Sequence, residues 1–332
     1  MWEGGRRWSP IWVVVTVVLG VAAVTGGVFE YRYLTADPSG QVAAHDESDY
    51  LDIAQAALLP PPPAATPDAS TGTWRVECGH DENGHRNADN LVASPRLPGD
   101  AHHLHDYVGN LSTNAFSTDE SLAAAQTTCA NDDKSTYYWP VLRLPASPGD
   151  AASHGDDVDG NHGAILVPDS ALIELRGNPT GNVVGMPEFL RASTGNAHGF
   201  SSGGVNTQHV QWTCSGARDH FTEHYPRCAP GQQVVRVFDF PSCWNGLTTD
   251  SANHRTHVVF PNAAGACPAA TFPVPQLHLE VAYTVPAGAD YNIDTFPEEQ
   301  HRAIADHGDF VNVMPAALMA KIVECLNADR HC

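Results

Sequence analysis

The sequence predicts a mainly β fold: an antiparallel β-sandwich of jelly-roll type with long disulfide-stapled loops and a short C-terminal helix, preceded by one N-terminal transmembrane helix. Three observations support this prediction. Short runs of β-branched and aromatic residues recur between clusters of Gly, Pro, Asn and Asp, as expected for short antiparallel strands. Helical periodicity is scarce. All 8 cysteines follow an uncharged N-terminal run, which is typical of an exported, disulfide-bonded protein.

The N-terminal run predicts a membrane anchor. Arg6 and Arg7 precede an uncharged stretch at residues 11–29, which as a helix would span about 28 Å, close to the hydrocarbon thickness of a bilayer. Basic residues before the span predict that residues 1–10 are cytoplasmic and that the rest is exported. We therefore expect a single-pass protein of the cell membrane. Cleavage between residues 22 and 27 would instead release a secreted protein.

A stalk and a folded region are expected beyond the anchor. Residues 30–72 are rich in Ala, Asp, Ser and Pro, with a proline run at 60–63. Such a segment buries too little apolar surface to fold, so we expect a disordered but semi-rigid stalk. Residues 73–332 then form the extracytoplasmic domain, a length that suits one large domain or two small ones.

Within the folded region the runs with strand character are short and bounded by turn residues. They lie at residues 74–78, 137–144, 163–168, 208–214, 233–241, 257–261 and 276–285. Residues 315–327 form an amphipathic helix, with Pro315 suited to its first turn. A second short helix is predicted at residues 118–126, where Ser117 and Glu120 have the spacing of a capping box.

The cysteines predict a disulfide framework. An even number in an exported chain favours disulfides over metal ligation or a nucleophile, and the absence of Cys-x-x-Cys argues against a zinc knuckle. Although eight cysteines allow roughly a hundred connectivities, we expect neighbours in sequence to pair. The predicted pairs are Cys78–Cys129, Cys214–Cys228, Cys243–Cys267 and Cys325–Cys332.

The charge of the chain excludes some partners. A formal net charge of −21 argues against nucleic acid and against anionic lipid surfaces, both of which require basic patches. Contact with the membrane is therefore expected only through the N-terminal helix. The acidic surface suits a solvated exported domain and also raises the local concentration of cations.

A His-x-His pair is the first candidate metal site. His103 and His105 would lie on the same face of a strand, roughly 7 Å apart at the backbone. Two imidazoles at that separation can share an ion, and Asp106 could orient a ring or act as an acid or base.

Two further segments contain the same residue types. His254 and His257 can meet on a helical turn or across a loop. His307 and Asp309 flank Gly308, which permits a tight backbone. Together the three segments supply enough ligands for a copper or zinc site with an open position. The alternative for each is hydrogen bonding that only stabilises a loop.

Aromatic residues and one lysine are candidates for substrate binding. Lys134 begins a segment that ends in Tyr138 and Trp139, and Trp244 lies in a turn next to a cysteine. Exposed rings in these places could stack on sugar. The alternative is a rigid loop whose rings pack on the core.

Familiar catalytic signatures are missing or unconvincing. Residues 199–203 match Gly-x-Ser-x-Gly, but their flanks have loop composition, whereas a nucleophile elbow needs a strand before it and a helix after it. The sequence contains no P-loop, no dinucleotide fingerprint and no His-Glu-x-x-His.

The ordered motifs of the folded region resemble an exported family of actinobacterial and fungal proteins, domain of unknown function 1996, which in fungi often adjoins WSC modules associated with cell-wall glucans. The matching motifs are HHLHDYVGN at 102–110, DKSTYYWPVL at 133–142, GMPEFLRASTGNA at 185–197, FPSCWNG at 240–246, DSANHRTHVVFP at 250–261, GACP at 265–268 and HGDFVN at 307–312. The resemblance implies an extracellular setting and no particular activity. Its polar motif residues coincide with the three histidine segments.

The leading hypothesis is an enzyme that acts on cell-wall or environmental polysaccharide. With zinc it would be a hydrolase, with Asp106 or Asp309 as general base. With copper it would be an oxidoreductase. Without metal, the two carboxylates would work as a pair. The other hypotheses are a glycan-binding module that displays its aromatic rings, and a structural protein of the cell envelope.

Overall fold

The computed structural model describes residues 47–145 and 158–332, which lie in one compact unit. As predicted, these residues are mainly β, with antiparallel sheets, two α-helices and four disulfides. The predicted cytoplasmic segment at 1–10 and transmembrane helix at 11–29 lie outside the described residues. Within the described part of the chain, the helices are too short or too polar to cross a bilayer.

The strands follow one another with little helix between them. They are β1 (Tyr50–Asp52), β2 (Ala57–Leu58), β3 (Thr73–Val76), β4 (Arg86–Asn87), β5 (His105–Gly109), β6 (Thr136–Pro140), β7 (Leu142–Leu144), β8 (Ala164–Leu166), β9 (Ser170–Arg176), β10 (Arg191–Gly195), β11 (Val210–Cys214), β12 (His220–Phe221), β13 (Tyr225–Arg227), β14 (Val234–Asp239), β15 (Cys243–Trp244), β16 (Val258–Val259), β17 (Phe272–Pro273), β18 (Gln276–Tyr283), β19 (Asn292–Ile293) and β20 (His307–Val311). The helices are α1 (Asp119–Ala124) and α2 (Ala316–Asn327). Every run predicted as a strand contains one.

Two five-stranded antiparallel sheets share the main core. Sheet A has the order β10-β20-β6-β5-β4, and sheet B has the order β11-β14-β18-β9-β3. Trp139 and Phe310 of sheet A belong to the same buried cluster as Phe238 and Tyr283 of sheet B. The Trp139 Nε1 atom donates a hydrogen bond to the Tyr283 hydroxyl at 3.1 Å. Small sheets of two or three strands surround this pair.

The two predicted helices are confirmed, with one difference in detail. In α2, Leu318, Ile322 and Leu326 lie on the buried face, as the periodicity predicts. At the start of α1, Thr118 and Ser121 form the capping box, in place of Ser117 and Glu120. The helix begins one residue later than expected, because the two hydroxyl groups satisfy each other's backbone N–H.

The predicted disulfide pairing is confirmed. The four bonds join Cys78 to Cys129, Cys214 to Cys228, Cys243 to Cys267 and Cys325 to Cys332. Each closes a loop between neighbours in sequence, so no bond crosses another. This arrangement suits a chain made of short strands and long connections, since each bond restricts one loop of the unfolded state.

The prediction of a disordered stalk up to residue 72 is wrong for its last part. Residues 30–46 lie outside the described residues, but from residue 47 the chain packs on the domain. Strand β1 pairs with β13 in parallel and β2 pairs with β12. Further on, the Ser70 N–H donates to the Asn178 carbonyl at 2.9 Å. Composition alone missed this because Tyr50 and Ile53 supply apolar contacts that the prolines around them do not.

Tyr50 provides a test of whether this segment belongs to the domain. Its ring lies 5.4 Å from that of Tyr225, the Arg227 guanidinium lies 3.6 Å from its centre, and its hydroxyl donates to the Tyr291 carbonyl. We expect Tyr50→Ala to lower the free energy of unfolding by about 2–3 kcal/mol, since a packed aromatic ring is lost.

Urea denaturation of the full-length protein measures this change. Leu58→Ala is the matched control, because Leu58 lies in the same segment but is 65% exposed. A Tyr50→Ala variant as stable as the Leu58→Ala variant would contradict docking of the segment.

Candidate metal centre

The strand register of sheet A places two histidines on either side of the same proline residue. His105 of β5 pairs with Pro140 of β6, and Asp309 of β20 pairs with Tyr138 of β6. Continuing the second register by two residues places His307 level with Pro140. Because residues opposite one another on neighbouring strands share a face of the sheet, both imidazoles lie on the same side of sheet A.

Three imidazoles converge at this place. His103 lies two residues before His105 and joins it on the same face. The His307 Nε2 atom lies 3.3 Å from the Nε2 atom of His103 and 3.3 Å from that of His105. One ligand atom from each of the three lies within 4.8 Å of the others. The exposed fractions of His103, His105 and His307 are 1%, 0% and 5%. We call these three residues the histidine cluster.

The second nitrogen of one ring is bonded to the backbone. His307 Nδ1 lies 3.1 Å from the Ala305 carbonyl oxygen. This contact places the proton of neutral His307 on Nδ1 and leaves a lone pair on Nε2. The Nδ1 atoms of His103 and His105 are buried and have no hydrogen-bond partner among the described residues.

The cluster is uncharged at neutral pH. Burial lowers the pKa of His307 to about 4. Burial, and then repulsion from the other rings, lowers the pKa of His103 and of His105 well below the ordinary value. Neutral imidazole is the form that binds a metal ion.

Two buried Arg–Asp pairs bind the backbone of the two segments that carry the cluster. Asp306 accepts two bonds from Arg236, at 2.9 and 2.5 Å, and one from the backbone N–H of His307 at 2.8 Å. Asp294 accepts two bonds from Arg143, at 2.5 and 3.0 Å, and one from the N–H of Leu104 at 3.2 Å. Because planar, bidentate pairs fix direction as well as distance, they position the segments that bear the imidazoles.

Two glycines allow the close packing at His307. Gly308 lies in the middle of β20, where a Cβ atom would meet the rings of Phe238 and Phe240 at 3.2 and 3.3 Å. Gly308 therefore permits close packing inside a strand and does not lie in a turn. Gly195, opposite His307, has φ +71°, and a Cβ atom there would lie 2.3 Å from the Asp306 carbonyl oxygen.

Asp309 lies on the face of sheet A that bears the cluster. Its carboxylate accepts hydrogen bonds from the Ser193 hydroxyl and, at 2.8 Å, from the Asn90 amide. Burial raises its pKa, while these two hydrogen bonds lower it. Asn90 also accepts a bond from the Tyr138 hydroxyl at 2.9 Å. Ser193 and Asn90 thus orient a carboxylate two residues from His307.

Asp106 does not lie beside the cluster, which corrects its predicted role as a base there. It follows His105 directly in β5, so its side chain points to the opposite face, towards the core. Arg86 bridges it to Asp81, with Arg86 Nε 2.5 Å from Asp106 and Arg86 Nη2 2.9 Å from Asp81. Burial raises the pKa of both carboxyl groups. The proposed pairing of Asp106 with Asp309 is excluded for the same reason.

The structure does not bring His254 and His257 into the cluster. His254 Nδ1 lies 2.9 Å from the Asp250 carboxylate. His257 is bonded through both ring nitrogens, at 2.6 Å to the Arg191 carbonyl and at 3.0 Å to the Ser251 hydroxyl. Both histidines therefore stabilise the loop at 250–257, which is the alternative considered above.

The predicted sugar-binding residues are mostly buried. Tyr138 and Trp139 are 0% exposed, so neither presents a ring face to a sugar. Lys134 donates to the carbonyl of Ala123 at 2.8 Å, which caps the end of α1. Trp244 is partly buried and donates to the Thr248 carbonyl at 2.8 Å. The rings of Tyr138 and Trp139 therefore pack on the core, as in the alternative to stacking, but they do so from strand β6 and not from a loop.

Sequence reasoning missed the residues that position the site. Arg143 lies between Leu142 and Leu144, and Arg236 interrupts the apolar strand β14. An arginine inside a buried strand is costly unless it is paired, and that pattern could have identified both. Asn90 and Ser193 carry no such signal, because they lie in polar or mixed segments.

A family model, domain of unknown function 1996, matches residues 91–313. The chain belongs to this family. The matched region includes all three residues of the histidine cluster and both Arg–Asp pairs. No curated protein and no solved structure matches the chain.

Proposed function

We propose that this member of the family is an exported metalloprotein, anchored or secreted, in which His103, His105 and His307 bind one zinc or copper ion. The observation that supports it best is the convergence of three buried imidazoles, each of which offers a ring nitrogen within 4.8 Å of the others. Burial lowers the pKa of all three, and the neutral imidazole that results is the form that binds either ion.

The donor set fits zinc or copper. Both ions bind imidazole readily, whereas magnesium and calcium prefer oxygen ligands. The Ala305 carbonyl at His307 Nδ1 is the kind of outer partner that ligating histidines usually have. Three protein ligands leave one position for water or substrate, as in catalytic rather than structural zinc sites.

A bound ion would supply either a Lewis acid that activates water or, with copper, a redox centre. Asp309 is the carboxylate on the same sheet face, held by Ser193 and Asn90, and we assign it the role of proton acceptor. The Arg–Asp pairs keep the imidazoles in place before the ion binds. The proposed reaction class is hydrolysis or oxidation of polysaccharide in the cell envelope or the environment.

The finer architecture is part of the same proposal. Two five-stranded antiparallel sheets around one core are consistent with a sandwich of jelly-roll type. Four disulfides are consistent with an extracytoplasmic location.

The contacts of the cluster also support a second function, in which the bound ion is structural. The cluster joins His105 to His307 across a sequence separation of 202 residues, and all three rings are buried. An ion there would tie β5 to β20 without any turnover. Metal-dependent stability without polysaccharide turnover would favour this second function.

Elemental analysis of the full-length protein tests the proposal. We expect about one zinc or copper ion per chain after dialysis against a limited excess, and much less for His105→Gln. His254→Gln is the matched control and should keep the ion, since His254 lies outside the cluster. Equal metal content in the two variants would refute the site. Metal-dependent release of soluble sugar from wall polysaccharide, absent in His105→Gln, then tests the reaction.

A further inference from the structure

A partly exposed aromatic side chain packs against the histidine cluster. Phe296 contacts His103 edge-on, with ring centroids 5.3 Å apart. The other aromatic partners of the cluster in the described residues are Tyr107 and Tyr138, which are 1% and 0% exposed. Of these three rings, Phe296 is therefore the one that reaches the surface.

Two exposed imidazoles flank the outer side of Phe296. The His198 ring stacks on it at 4.4 Å and 19°, and the His102 ring lies 5.6 Å from it. The side chains of His102 and His198 are 48% and 50% exposed. These two imidazoles have the same ligand chemistry as the histidine cluster, but they are exposed and contact Phe296 from outside the cluster.

Carboxylates accompany both exposed imidazoles. The Asp159 carboxylate lies 2.6 Å from His102 Nδ1, and the Glu298 carboxylate lies 3.8 Å from His198 Nδ1. Both acids are exposed and attract cations. Imidazole beside carboxylate is a weak, open ligand set for a transition-metal ion.

Hydrogen bonds hold the backbone at Phe296. The Phe296 carbonyl accepts hydrogen bonds from the Glu299 N–H at 3.0 Å and from the Thr295 hydroxyl at 2.9 Å. Asp294, two residues earlier, belongs to the buried pair with Arg143. Rotation of the phenyl group about its side-chain bonds would uncover His103 without breaking any of these hydrogen bonds.

We propose that His102, His198, Asp159 and Glu298 capture the divalent transition-metal ion at the surface and that Phe296 is the gate through which it passes to the histidine cluster. This inference rests on the proposed function and adds a loading route to it. A gate and a capture site on one route change the rates of binding and release together and leave the dissociation constant nearly unchanged.

Zinc exchange in the full-length protein tests the route, with uptake followed by stopped flow and release followed with an excess of a chromogenic chelator. We expect Phe296→Ala to speed uptake and release by about tenfold each, with a dissociation constant close to that of the unaltered protein. Phe296→Trp should slow both rates. Phe116→Ala, at a phenylalanine that is 64% exposed, is the control and should change neither.

The capture site is tested by the double variant His102→Asn and His198→Gln. Asparagine is chosen because His102 has φ +54°, which asparagine tolerates. We expect both rates to fall by about tenfold at low ionic strength, since a surface ligand set concentrates the ion. If the Phe296 and histidine variants take up and release zinc at unchanged rates while the unaltered chain binds one zinc ion, the loading route is overturned and the proposed function stands. Failure of the unaltered chain to take up either zinc or copper overturns the proposed function as well.

Discussion

Arg236→Met is expected to lower the free energy of unfolding by about 3–5 kcal/mol, because it leaves the Asp306 carboxylate buried without its partner. Both side chains of this pair are 0% exposed. Arg236 also donates to the Pro140 carbonyl at 2.7 Å, so the change removes a support beneath the histidine cluster. We therefore expect weaker metal binding together with lower stability. Urea denaturation and zinc titration measure the two effects.

Two controls separate the buried pair from a general effect of arginine loss. Arg75→Met removes a partner of Glu77, but these side chains are 60% and 64% exposed, so we expect a change below about 1 kcal/mol. Adding Asp306→Asn to Arg236→Met removes the unpaired charge and should recover much of the stability. If Arg236→Met unfolds at the same urea concentration as Arg75→Met, the pair has no structural role.

Zinc at about a thousand times its dissociation constant is expected to stabilise the domain by about 4 kcal/mol, because the ion binds the folded state and not the unfolded one. For a domain of this size that is a rise of roughly 10 °C in Tm. In His307→Gln the rise should vanish, since one of three ligands is lost. Thermal unfolding with zinc and with excess chelator measures it.

The variant's own stability does not enter this comparison, because each protein is compared with itself with and without zinc. His220→Gln is the control, as its ring lies at the surface beside Asp219. The acidic surface binds cations weakly, and this control includes that contribution. A His307→Gln variant with the full zinc-dependent rise would place the ion elsewhere.

Local patterns predicted several elements correctly. Short β-rich runs bounded by turn residues predicted the strands at β14 and β18, and apolar residues on one face predicted α2. Pairing of cysteines that are neighbours in sequence predicted all four disulfides, although many other connectivities were open. His103, His105 and His307 were among the candidate ligands because their residue types alone can bind metal.

Other features depend on long-range contacts that local patterns do not contain. His254 and His257 are as suitable as His307 in sequence, yet they bind loop backbone. Asp106 follows His105 directly, yet the alternation of the strand turns it to the core. Trp139 looked like a sugar platform and proved to be a core residue bonded to Tyr283.

By itself, the sequence determined the mainly β class and the set of imidazoles able to bind a metal, because each depends on residue type or local pattern. The disulfide pairs were predicted as neighbours, but only the tertiary structure established them. The tertiary structure decided which imidazoles meet. That choice depends on the register of β20 and β5 against β6 and on two buried Arg–Asp pairs, whose partners are far apart in the chain. It also decided that residues 47–72 belong to the domain, because their few apolar side chains find partners only in the folded sheet.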